Sequence, residues 1–236
     1  MEKMYYVMSK ADKVAQINIF GEITSWPWLE SDVSSYRLSH QLEQLQDVDE
    51  IHVHINSYGG EVAEGLAIYN ALLNHPAKVK TYCDGFACSV ASVIFMAGDE
   101  RIMPESSMLM IHNAWNMVSG NAAELRKAAD DLEKITQASV KAYASRTGMA
   151  EEEITELLDA ETWMLPEEAL ERGFATSIKK VTQTYANQSA IGSMMALIKG
   201  KRQEPPARTP KEPNPTNPAP TATVPWDGFY SALMKL

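Results

Sequence analysis

Acyl transfer at neutral pH needs an activated nucleophile, a base, a group that orients the base, and donors for a developing oxyanion. Three stretches of this sequence carry residue types that could supply them. In DGFACSVAS, Ser89 follows a run of small residues. Gly85 permits a sharp turn out of a strand, and the small residues let a helix begin, so the Ser89 hydroxyl would stand exposed near a helix N-terminus. A serine in that position also serves as an N-cap, and the pattern alone leaves both readings open. The second stretch, MLMIH, ends on His112 and is followed by Asn113. A histidine at a strand end can be a base or a structural residue. The third, NSYGGEV, puts Gly59 and Gly60 between a strand and a helix. A phosphate cradle is one reading, but the lysine of a GK[ST] motif is missing. A backbone that approaches a ligand closely, with N–H groups aimed at an oxyanion, fits better.

Other reactive residue types suggest less. His52 and His54 share one face of a strand, but no third metal ligand accompanies them, so they read as polar positions on a partly solvated face. His40 and His75 read as surface residues near helix ends. Cys83 and Cys88 form neither a CxxC pair nor half of a zinc site, and read as two small buried thiols in a reducing compartment. Glu151–Glu153, Glu156 and Asp159 read as a solvated helix face. No metal or cofactor is expected.

The elements that must position these groups alternate between strand and helix periods. Ile17, Ile19 and Phe20 mark a strand ending at Gly21, and 35–45 reads as helical. Ile51, Val53 and Ile55 alternate with His52 and His54 as a half-buried strand. Val62, Leu66, Tyr69 and Leu73 then recur at helical spacing. A strand over 79–82, a short buried helix over 89–96 and a strand over 107–111 follow. This rhythm predicts an α/β fold, a parallel sheet with helices packed on it. A long helix carries one stripe through Ala122, Leu125, Ala128/Ala129, Leu132, Ile135, Ser139 and Ala142, and runs to about Ser145. Pro166, Glu167, Glu168 and Gly173 frame a final short helix.

The chain of 236 residues, 45% hydrophobic, can form one domain with a real core. Its net charge of −10 and lack of a basic stripe argue against nucleic acid. The N-terminus has no signal-type apolar run, and no stretch is long enough to span a membrane, so the expectation is a cytoplasmic chain. Eight of the twelve prolines fall between Gln203 and Pro225. The expected organisation is a domain over 1–180, a variable extension over 181–202, a Pro-rich, PPII-like linker over 203–225 and an apolar tail over 226–236. Trp226, Phe229, Tyr230, Leu233 and Met234 would share one face of a short tail helix.

Four ordered blocks carry a specific resemblance. INSYGGEVAEGLAIYNAL, DGFACSVASVIFMAG, RIMPESSMLMIHNAW and ETWMLPEEALERGFATSI resemble the glycine, nucleophile, histidine and acid-flanking blocks of the Clp protease proteolytic subunit family, across roughly 15–180. The resemblance implies a serine endopeptidase with the β-superhelical fold shared with crotonases. It implies Ser89 as nucleophile, His112 as general base, and backbone N–H groups of Gly60 and Val90 as the oxyanion hole. The third member aligns on Glu161 where the family has aspartate, with Asp159 as the alternative. Tyr58 stands where the family usually has proline. The helix from about Asn121 to Ser145 resembles the family's projecting handle, which implies a homo-oligomeric ring.

MAGDERIMPE and DAETWMLPEEALERGFA are most similar to the Clp-related head maturation proteases of tailed phages and prophages, and the Pro-rich extension points the same way. The implied substrates are capsid or scaffold proteins within a procapsid in the host cytoplasm. The tail would dock on a capsid, scaffold or portal protein. The alternative is a bacterial ATP-dependent Clp proteolytic subunit fed by an unfoldase. A crotonase-like acyl-CoA enzyme and an inactive ring or scaffold protein complete the range.

Overall fold

In the computed structural model the described residues are 6–9, 13–45 and 47–180, within one compact unit, Met1–Gln183. The expected extension, linker and tail helix lie outside the described residues. Among those described, no helix is long and apolar enough to cross a membrane.

The chain forms a mixed α/β structure around a mainly parallel sheet. Strands β1 (Tyr6–Ser9), β2 (Val14–Ile19) and β3 (Glu50–Ser57) are followed in the sheet by β4 (Lys78–Cys88), β5 (Glu100–Pro104) and β8 (Ser177–Lys179). Only β1 runs antiparallel in this row. Alternation does the sorting: Ala15, Ile17 and Ile19 of β2 and Ile51, Val53 and Ile55 of β3 are all buried, while their neighbours face outward. Helices α1 (Ser35–Glu43), α2 (Val62–Leu73) and the short α3 (Val90–Phe95) pack successively on the buried face.

Strand β4 has eleven residues, far longer than the expected 79–82, and its partner changes midway. Lys80–Tyr82 pair with β5, whereas Phe86–Cys88 pair with β6 (Met108–Ile111), which also pairs antiparallel with β7 (Thr162–Met164). The β3–β4 register shifts between Ile55 and Ser57, so β4 bends while staying a strand. Gly85 is therefore not the expected sharp turn. A Cβ there would lie 2.5 Å from Asn56 Oδ1, the oxygen that accepts the Phe86 N–H at 3.1 Å. The glycine makes room for the asparagine that braces the bend, and β4 runs on to the residue before Ser89.

Helix α4 (Ala122–Thr147) has 26 residues and a complete capping box. Asn121 Oδ1 accepts the Ala123 and Glu124 N–H groups, and Glu124 Oε2 accepts the Asn121 N–H at 2.7 Å. Its buried residues, Val140, Ala142 and Tyr143, all lie in its last turns. Helices α5 (Glu151–Asp159) and α6 (Pro166–Glu171) complete the chain. Arg101, only 6% exposed, ties these parts together by donating to carbonyls of Phe174, Gly98, Arg146 and Gly173.

Candidate active site

Ser89 is the one-residue joint between β4 and α3. Its backbone takes φ 53° and ψ −131°, a region that non-glycine residues rarely enter and that costs of order 1–3 kcal/mol. Local bonds hold it there. The Ser89 N–H donates to the Met110 carbonyl of β6 at 3.0 Å. The Ser89 carbonyl accepts the Ser92 N–H at 2.9 Å and the Ser92 hydroxyl at 2.5 Å. The Ser89 side chain makes no N-cap bond to α3. It instead meets His112 Nε2 at 2.8 Å.

His112 follows directly on β6, the strand that anchors Ser89 N–H. One sheet pairing thus sets both residues at the same edge. For Oγ–H to donate to Nε2, the imidazole must carry its own proton on Nδ1. The arrangement can then move the hydroxyl proton onto the ring as Oγ attacks a carbonyl carbon.

The glycine loop lies against this pair. Gly59 has φ 104°, and a Cβ on it would fall 2.8 Å from Ser89 Cβ. Gly60 has φ 148°, and a Cβ there would overlap the Ile23 carbonyl. Ile23 bridges the loop by donating to Gly59 O at 3.0 Å and accepting from Glu61 N–H at 2.8 Å. Since Ile23 bonds the residues on either side of Gly60, the N–H of Gly60 faces away from that bridge. Ser57 Oγ fixes the entry to the loop, donating to Gly21 O at 2.6 Å and accepting the Gly59 N–H at 3.1 Å. Glu61 fixes the exit by accepting from Thr24 and Ser25, bonds that hold its carboxyl below the usual range despite some desolvation. The Val90 N–H is a first-turn donor of α3, without an intrahelical acceptor.

The two candidate acids lie in the α5–β7 segment, whose strand pairs with the strand that ends before His112. Ile111 pairs with Thr162 on the last rung of the antiparallel β6–β7 ladder, and His112 and Glu161 are the residues that flank that rung in sequence. Glu161 has φ 48°, and its N–H donates to Leu158 O at 3.1 Å, closing α5 where a glycine would ordinarily stand. Asp159 Oδ1 accepts from Asn113 Nδ2 at 2.7 Å. Among the described residues the His112 side chain bonds to neither carboxylate. The rest of the acidic cluster, Glu151–Glu153 and Glu156, is exposed on α5.

The other reactive residues sit elsewhere. His52 Nε2 meets Glu50 at 2.8 Å, and His54 Nδ1 meets Asp84 at 2.7 Å while its ring stacks on Tyr82. His75 is half-buried rather than a surface residue: its Nδ1 accepts the Ala77 N–H, and its Nε2 is buried without a hydrogen-bond partner among the described residues. Burial pushes its pKa down. No cluster of three His, Cys, Asp or Glu suited to a metal occurs among the described residues. Cys83 and Cys88 are both buried and unpaired, and burial pushes their thiols up to about 12 and about 11. Cys88 therefore makes a poor nucleophile despite adjoining Ser89. Ser92 and Asn113 were not singled out from the sequence. Ser92 lies within a small, apolar helical run, and nothing in its spacing marks its bond to Ser89.

The Clp protease family model matches residues 1–182. The chain is 34% identical over 149 residues to an ATP-dependent Clp protease proteolytic subunit from Deinococcus radiodurans, covering 62% of this chain and 72% of that one. It is 31% identical over 152 residues to the subunit of the same name from Bacteroides fragilis, covering 62% and 73%.

Proposed function

We propose, for a chain that belongs to the Clp protease family and is a serine-type endopeptidase, that Ser89, His112 and the Gly60/Val90 backbone perform the cleavage. The observation that carries this reading is the 2.8 Å approach of His112 Nε2 to Ser89 Oγ beside the glycine loop. Ser89 Oγ attacks the scissile carbonyl carbon and its proton passes to His112 Nε2. The N–H groups of Gly60 and Val90 stabilise the resulting oxyanion. Collapse breaks the C–N bond, the amine leaves with the proton from His112, and an acyl-Ser89 ester remains. Water then attacks that ester, losing its proton to His112; collapse breaks the acyl C–O bond, His112 returns that proton to Ser89 Oγ, and the acid product departs. Glu161 is assigned to orient the imidazole by accepting from its Nδ1–H when substrate is bound. Asp159 is the alternative, at the expense of its bond to Asn113.

For the biological task, the reading is head maturation in a tailed phage or prophage, with capsid or scaffold proteins as substrates. Its support is the similarity of MAGDERIMPE and DAETWMLPEEALERGFA to that branch, and the Pro-rich stretch over 203–225. A fully extended PPII linker of 23 residues would reach about 70 Å, enough to tether the ring to a partner through the apolar tail. The second reading, a subunit fed by an ATP-dependent unfoldase, is favoured by the names of the two relatives. One experiment separates them: mix the purified chain with capsid and scaffold proteins, without nucleotide or ATPase. Ser89-dependent cleavage is expected. Cleavage only after an unfoldase and ATP are added would select the second reading. If Ser89→Ala keeps full turnover and still reacts with a fluorophosphonate, the serine assignment fails.

A further inference from the structure

Two hydroxyls sit in the apolar interior directly behind the candidate nucleophile. Ser92 is fully buried, and Tyr143 is 1% exposed on the last turns of α4. Their oxygens are 2.8 Å apart, and the Ser92 oxygen is also 2.5 Å from the Ser89 carbonyl. A carbonyl has no hydrogen to offer, so the single proton of Ser92 must go to it. The proton between Ser92 and Tyr143 therefore comes from Tyr143. The chain has one direction: Tyr143 Oη–H to Ser92 Oγ, and Ser92 Oγ–H to the Ser89 carbonyl. Burial pushes the Tyr143 phenol up, which keeps it protonated as this chain requires.

The Ser89 carbonyl belongs to the same peptide plane as the Val90 N–H. That peptide is trans, so oxygen and hydrogen point in opposite directions. Fixing the carbonyl inward, toward Ser92, fixes the N–H on the opposite side of the peptide, away from Ser92 and Tyr143. The strained Ser89 backbone makes this more than a formality, because a peptide next to a disfavoured φ, ψ pair has a standing incentive to rotate. Hydrogen bonds accepted by the carbonyl also polarise the peptide and make its N–H a stronger donor. A Phe at 143 and an Ala at 92 would fill nearly the same volume without burying two hydroxyls. Packing alone therefore gives no reason for the pair.

We propose that Ser92 and Tyr143 are positioning residues that aim the Val90 N–H at the oxyanion, so that the last turns of α4 help to set the transition-state geometry. This deepens the peptidase reading and rests on it. Neither residue touches substrate, and neither alters His112.

The test uses Tyr143→Phe, Ser92→Ala and the double variant in the full chain. The readouts are steady-state cleavage of a fluorogenic peptide and affinity for a peptide boronate. The boronate forms a tetrahedral adduct on Ser89 Oγ, with an oxygen in the oxyanion position. Each single variant is expected to lower kcat about tenfold and weaken boronate binding by a similar factor, with KM within about twofold. The double variant should be no worse than the worse single one, because both act through one chain of bonds. Unchanged kcat and boronate affinity in either folded variant would overturn the proposal. So would equal losses in KM and kcat that track a fall in Tm, the mark of a purely structural role. If one variant does not fold, the other carries the test alone. A Ser89→Ala control keeps the two levels apart. Boronate that binds the parent and Ser89→Ala equally well refutes the nucleophile, and this inference with it.

Discussion

At the scale of single residues, the site is built from backbone conformations that side-chain chemistry would not choose. Ser89 and Glu161 both hold positive φ, and Gly59 holds φ 104° against Ser89 Cβ. Gly59→Ala would add a methyl 2.8 Å from Ser89 Cβ and force a non-glycine into that conformation. Expected outcomes are a loss of about 1–3 kcal/mol in denaturant stability and a much larger relative loss in kcat, since the clash falls on Ser89, the proposed nucleophile. A variant with parent-like turnover would show that the loop can move freely away from Ser89. The acid gives a second prediction. Glu161 adjoins Thr162, the last rung of the β6–β7 ladder beside His112, whereas Asp159 already has Asn113 as a partner. Glu161→Gln should therefore lower kcat by about a hundredfold or more, with the melting temperature little changed, and Asp159→Asn should have the milder effect. The reverse ranking would transfer the orienting role to Asp159. Equal, small effects would leave His112 oriented by something other than a carboxylate.

At the scale of elements, β3, β4 and β5 present a charged lattice on their outer face. Glu50 meets both His52 and Lys80, and Glu100 meets Lys78 and approaches Lys80. Hydrogen bonds from His52 and Lys80 hold the Glu50 carboxyl down to about 2. A carboxyl depressed in the folded state stabilises the fold above its unfolded pKa of about 4.5, and that stability is lost as pH falls toward 2. Partial exposure screens the interaction, so the contribution is modest. Glu50→Gln should flatten the dependence of denaturation midpoint on pH between about 4.5 and 2, while leaving the slope above pH 5 unchanged. An identical acid limb in parent and variant would show that Glu50 is not the group being titrated. The long and periodic elements were legible beforehand: β2 and β3 follow directly from their buried alternation, α2 from a helical period whose buried face is Gly65, Ile68, Tyr69 and Leu72 rather than one ending on Leu73, and α4 from a periodic stripe that is mostly left unburied. The pieces β5, β7 and β8 were not: unlike the four-residue apolar run of β6, they mix polar or charged residues into runs of three to five and reveal no period. The mid-strand switch of partner in β4 was equally hidden. It depends on Asn56 bracing Phe86 N–H across strands, a contact between residues thirty apart. In the same way, the types of Ser89 and His112 could be read from the chain, but their 2.8 Å approach required the shared edge of β4 and β6.

At the scale of the whole molecule, α4 is the element whose length its own domain does not use. Twenty-six residues at 1.5 Å each make a rod of about 39 Å. Its burial is confined to Val140, Ala142 and Tyr143. Leu125 and Ile135, toward the other end, remain 45% and 42% exposed, with Leu132 partly exposed between them. The stripe is interrupted by few charges, which lie on other flanks, as in the Lys127–Asp131 pair. An isolated helix gains little from such a stripe and is left with apolar surface in water, so the arrangement calls for a covering surface. A second copy of the same helix fits, because it brings a matching stripe and is always present at equal concentration. The expected outcome is a homo-oligomer in light scattering, consistent with the ring implied by the family resemblance. Leu132→Asp should place a charge in the middle of the shared stripe and split that particle into smaller species. Circular dichroism should stay near that of the parent, because the change lies outside the buried last turns through which α4 packs on α3 and α5. A parent chain that is a stable monomer at micromolar concentration would refute this. So would a Leu132→Asp variant of unchanged mass, which would place the contacts between copies elsewhere on the domain.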